Sequence, residues 1–78
     1  MKQEELQEAI GKIRELWRRA RRDKLARKRE LLAAGMDPGA ARRDPLLRAH
    51  RKIQRRCATL MRHLERRMNR MRAREEER

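Results

Sequence analysis

Between Asp44 and Arg74 the least polar side chains return every three or four residues, at Leu46, His50, Ile53, Cys57, Leu60 and Leu64, and arginines fill most of the positions between them. Alternation of four and three is the narrow stripe by which one helix packs along another. It predicts a helix over about 45–74. Residues 3–34 carry the same signal at Leu6, Ile10, Ile13, Trp17 and Ala20. After Ala20 the strict positions fall on Lys24 and Arg27, whereas Leu25, Leu31 and Leu32 carry the apolar character, so the stripe is expected to drift around this helix. Glu4, Glu5 and Glu8 favour the positive end of the first helix dipole. Glu75, Glu76 and Glu77 oppose the negative end of the second, which predicts a frayed acidic tail over 75–78.

The punctuation lies between the two periodic segments. Gly35 accepts the left-handed conformation that commonly closes a helix. Asp37-Pro38 and Asp44-Pro45 each read as an N-cap followed by proline at the first helical position, where the missing amide costs nothing. Residues 35–44 therefore form a Gly/Pro loop that is either open or holds one helical turn. Helices of matched length joined by a short connection predict an all-α antiparallel helical hairpin, coiled-coil-like. A loop centred near residue 40 sets Trp17 against Leu60, Met61 and Leu64, and Leu32 against Leu46.

Seventy-eight residues make one small domain, 1–78, and a core at this size needs support from a staple or a partner. Phe, Tyr, Val and Ser are absent, so leucine, isoleucine, methionine and alanine must build the core. A lone cysteine, Cys57, cannot form an internal disulfide and points to a reducing compartment. The first 30 residues hold no unbroken apolar run, which argues against a signal peptide or a membrane span and for a cytoplasmic protein. A two-helix hairpin cannot cover its apolar stripe on every side. Trp17, Met61, Met68 and Met71 are the expected interface residues for a homodimer or a docked protein.

Charge changes the picture most. Lys and Arg number 25 against 12 Asp and Glu, a net +13, and 20 of the 25 are arginine. Formal charge along the chain is −2 for residues 1–11, +8 for 12–29, −1 for 30–45, +10 for 46–74 and −2 for 75–78. The hairpin brings Glu4, Glu5 and Glu8 beside the arginines of 66–74, but leaves the two basic stretches facing one another. Self-repulsion of this kind calls for a polyanion, and the guanidinium fork fits phosphate oxygens in pairs. Arg48, Arg55 and Arg62 recur at seven-residue steps of about 10 Å, a rail on the outside of the second helix. Arg14, Arg21 and Lys28 repeat it on the first. The expected phosphate contacts are Arg18, Arg21, Arg22, Lys28, Arg29, Arg48, Arg51, Lys52, Arg55 and Arg62. Such contacts position a nucleic acid, RNA or DNA, without reading its bases. A single aromatic ring, Trp17, argues against a base-stacking platform.

Catalytic chemistry has no foothold in the pattern. His50 and Cys57 stand two turns apart, roughly 10 Å along one helix, and His63 points elsewhere, so no metal site is expected. Cys57 has neither a neighbouring base nor an oxyanion site in its spacing. The sequence thus predicts no cofactor, no small-molecule substrate and no enzyme. It predicts a basic nucleic-acid-binding protein that serves as an accessory subunit of a larger nucleoprotein complex. The alternative is a helical interaction module that dimerises into a four-helix bundle or docks on an acidic protein.

Overall fold

The computed structural model describes residues 2–77; Met1 and Arg78 lie outside it. Three helices follow in order: α1 (Gln3–Ala33), α2 (Pro38–Ala41) and α3 (Pro45–Glu76). No strand occurs among the described residues. The long helices, of 31 and 32 residues, lie against one another as an antiparallel hairpin measuring 61 × 17 × 15 Å. Arg14 faces Glu65 and Lys24 faces Gln54, and that pairing fixes the register. In that register Trp17 lies opposite the turn of Met61.

Each break between helices has a chemical cause. Gly35 adopts φ +87, and the bonds from its amide to the Leu32 carbonyl and from the Met36 amide to the Leu31 carbonyl close α1. Asp37 caps the single turn α2, accepting from the amides of Gly39 at 3.0 Å and Ala40 at 3.3 Å. Asp44 caps α3 through the Leu47 amide at 3.0 Å, with Pro45 at the first helical position. α3 then runs to Glu76, past the expected end and into the acidic run.

The seam differs in phase from the one the leucines suggest. On α3 the residues turned inward are Leu47, His50, Gln54, Cys57, Met61, Leu64, Met68 and Met71, each buried or half-buried. Leu46, Ile53 and Leu60, expected in the seam, are 49%, 46% and 50% exposed. The two readings share His50, Cys57 and Leu64 and part at the positions between them. The chain accepts a glutamine in its seam, leaving an isoleucine outside, because Gln54 has a partner there: Lys24 donates to its side-chain oxygen at 2.8 Å.

On α1 the expected drift does not happen either. The stripe continues through Leu6, Ile10, Ile13, Trp17, Ala20, Lys24, Arg27 and Leu31 in unbroken four-three steps, every one buried or half-buried. Leu25 and Leu32 are instead 39% exposed. Both cations in the stripe are matched from across the hairpin, Lys24 by Gln54 and Arg27 by Asp44. Full burial is confined to Leu6, Ile10, Ala20, Leu31, Ala41, Leu47 and Cys57, so this is a thin core.

Candidate nucleic-acid interface

The seam phase decides where every other side chain points. A helix turns about 100° per residue, so each seam has a flank on either side. On one side Arg14, Arg21 and Lys28 of α1 run beside Arg51, Ala58 and Glu65 of α3. The Arg14–Glu65 pair at 3.8 Å joins these two rows. On the other side Ala9, Leu16, Asp23 and Glu30 run beside Leu46, Ile53, Leu60 and, towards the far end, Arg67. The hairpin is therefore two-faced.

All ten cations singled out as phosphate contacts avoid the apolar flank. Arg21, Lys28 and Arg51 sit on the basic flank itself, Arg18, Arg48, Arg55 and Arg62 in the row just outside it, and Arg22, Arg29 and Lys52 along the outermost ridge. Nine of them are exposed and Arg51 is half-buried. Three shallow depressions gather eight of them, all but Arg29 and Arg62. Arg48, Arg51, Lys52 and Arg55 border the first, beside Pro45 and Ala49. Lys24, Lys28, Arg42 and Arg51 ring a second, of about 400 Å³, whose walls also include Leu25, Pro38, Ala41 and Leu47. Arg18, Arg21 and Arg22 border a third with Glu15, Trp17 and Leu25. Arg51 belongs to both of the first two, and neither is lined by a carboxylate. The first two make one cationic surface at the loop end of the hairpin, and the third lies next to it, towards the middle of α1.

That surface is held in place by Asp44. Its carboxylate takes Nε of Arg27 at 3.0 Å on one oxygen and Nη2 at 3.1 Å on the other, while also capping α3. One side chain thus fixes the start of α3 to the last two turns of α1. The Arg27 guanidinium and the Leu47 amide hold the Asp44 carboxyl below the usual carboxylate range, and Asp44 raises Arg27 in return. Elsewhere the cations are little neutralised. Among the described residues the ion pairs between the long helices are Arg27–Asp44 and Arg14–Glu65, and Glu4, Glu5 and Glu8 take part in neither. Arg18 pairs with Glu15 within α1 at 2.8 Å, and Arg21 sits 5.6 Å from the centroid of the Trp17 ring.

Sequence reasoning missed Lys24 and Arg42 as members of this surface. Lys24 was legible as a charge at a strict seam position; Arg42 was not, because only the turn of α2 carries it to the groove. The four expected interface residues, Trp17, Met61, Met68 and Met71, sit at seam positions and are half-buried within the hairpin. Cys57 is buried in the seam, His50 is half-buried there and His63 is exposed. No group of three or more possible metal ligands converges among the described residues.

Fold and surface together define a class: an all-α antiparallel hairpin with a cationic surface near its loop end. No family model matches this chain, and neither a curated protein nor a solved structure matches it.

Proposed function

We propose that the chain is a non-enzymatic nucleic-acid-binding protein that grips the phosphate backbone with its basic face and serves as an accessory subunit of a larger nucleoprotein assembly. The observation that carries this reading is the cationic surface around Arg51, where side chains from both long helices and from the α2 turn meet without a lining carboxylate. A chain at +13 that leaves such a surface unneutralised is stabilised by a polyanion laid across it. The long axis of 61 Å spans about 18 base-pair steps of ~3.4 Å, room for several rail contacts in succession. Backbone contact of this kind serves RNA and DNA alike. No helix of the described residues is long and apolar enough to cross a membrane.

Fluorescence anisotropy on labelled duplex DNA, duplex RNA and single strands of unrelated sequence tests the reading. Affinity should be similar across sequences, and its logarithm should fall linearly with the logarithm of salt concentration. Binding that ignores salt, or that selects one sequence, contradicts it. The second reading, a helical protein-interaction module, is favoured by one observation: Leu16, Leu46, Ile53 and Leu60 remain half-exposed on the flank that carries none of the ten cations.

A further inference from the structure

That flank gathers four of the exposed large apolar side chains, Leu16, Leu46, Ile53 and Leu60. Leu46, Ile53 and Leu60 recur at seven-residue steps, and the hairpin register sets Leu16 of α1 beside Leu60. Between Leu16 and Ala33 on α1, and between Leu46 and Leu60 on α3, the charges on this side are Arg19, Asp23, Glu30 and Arg56. Two cations and two carboxylates make the patch formally neutral in a chain that carries +13. The smaller residues Ala26, Ala33 and Ala49 lie in the next row and leave room for close approach.

We infer that this neutral stripe is a self-association surface, and that its occupant is the same stripe of a second copy. Two arguments select a copy of the chain over another partner. The α3 row of the stripe is symmetric about Ile53, so a two-fold axis through that residue lays Ile53 on Ile53 and Leu46 on Leu60, as an isologous interface requires. Two chains of +13 can also meet only where their fields do not oppose contact, and here each carries opposite charges in equal number. The resulting bundle of four long helices covers the stripe and turns the two basic faces outward, away from each other. If the basic face binds nucleic acid as proposed above, a dimer so built bridges two segments of it.

Sedimentation equilibrium of the full chain, without nucleic acid, tests the association independently of that reading. Wild type should be a dimer at micromolar concentration. Ile53→Glu should be a monomer with unchanged far-ultraviolet circular dichroism, since the side chain is 46% exposed within one hairpin. Arg55→Glu, on the other face, should remain a dimer. Cross-linking reads the axis directly. In a Cys57→Ser background, Ile53→Cys should oxidise to a covalent dimer. Leu46→Cys should do so only when mixed with Leu60→Cys, because 14 residues of helix, about 21 Å, separate position 46 from 60. A monomeric wild type, a dimer that survives Ile53→Glu, or a dimer that fails to cross-link through position 53 would overturn the inference.

Discussion

Leu46 and Leu47 are neighbours with the same side chain, yet one is 49% exposed and the other 1%. The same contrast separates the two flanks of the hairpin as a whole. On one, Arg14, Arg21, Lys28 and Arg51 line the seam, with Arg48, Arg55 and Arg62 behind them. On the other stand Leu16, Leu46, Ile53 and Leu60, with Asp23 and Glu30 among them. Both flanks border the same seam at the same distance, so their difference cannot come from the fold. It teaches that the hairpin needs only its thin inner stripe, which leaves the two flanks free to differ in character.

The largest effect should come from breaking what holds the flanks apart. Leu47→Ala removes one of the two most deeply buried leucines, and a loss of about 2–5 kcal/mol in thermal or urea unfolding is expected. Both faces should then fail together. A smaller loss, about 1–2 kcal/mol, is expected for Gly35→Ala, because alanine must enter the left-handed region that Gly35 occupies at φ +87. Open space around that position means the cost is conformational and not steric.

Acid sharpens the comparison from the side of the basic face. The folded-state value of Asp44 is lowered, chiefly by its hydrogen bonds from Arg27. Its stabilising contribution is therefore complete above the unfolded value of about 3.9 and is lost as pH falls through the lowered one. Melting temperature should drop on acidification below about pH 4, and Asp44→Asn should flatten that part of the drop while lowering stability at neutral pH. An unchanged acid limb in the variant would remove Asp44 as the clamp of the loop end. Smallest of all is Leu46→Gln, expected within about 0.5 kcal/mol of wild-type stability in a single hairpin, although it alters the neutral stripe. A loss as large as that of Leu47→Ala would restore the leucine-rich phase of the seam and erase the two-faced description.

The helices, their antiparallel pairing and the capping roles of Asp37 and Asp44 were legible in the sequence, because proline and glycine punctuate the chain where local geometry demands them. The phase of the seam was not. Hydropathy favours Leu46, Ile53 and Leu60 over Gln54 and Met61, and on α1 it favours Leu25 over Lys24. What decides the phase is partnership across the hairpin, Lys24 with Gln54 and Arg27 with Asp44, at separations of 30 and 17 residues. Hydropathy along one helix does not contain that information, whereas strict counting does: positions 47 to 71 and 6 to 31 hold four-three steps longer than the leucine pattern does. The basic face was legible as a rail on each helix. Its merging into one surface depends on the register and on Arg42, which only the folded turn supplies.

The central claim is that position of charge, and not its total, makes the basic face. Two triple variants measure this at equal net charge: Arg48→Gln, Arg55→Gln and Arg62→Gln on that face, and Arg19→Gln, Arg67→Gln and Arg70→Gln on the other side. Their affinities for one duplex DNA are to be followed across a range of salt. The account predicts that the first triple weakens binding and flattens the salt dependence by about 0.9 in slope for each phosphate no longer neutralised, while the second stays close to wild type. Equal weakening in the two variants would show a diffuse field with no face, and would contradict it.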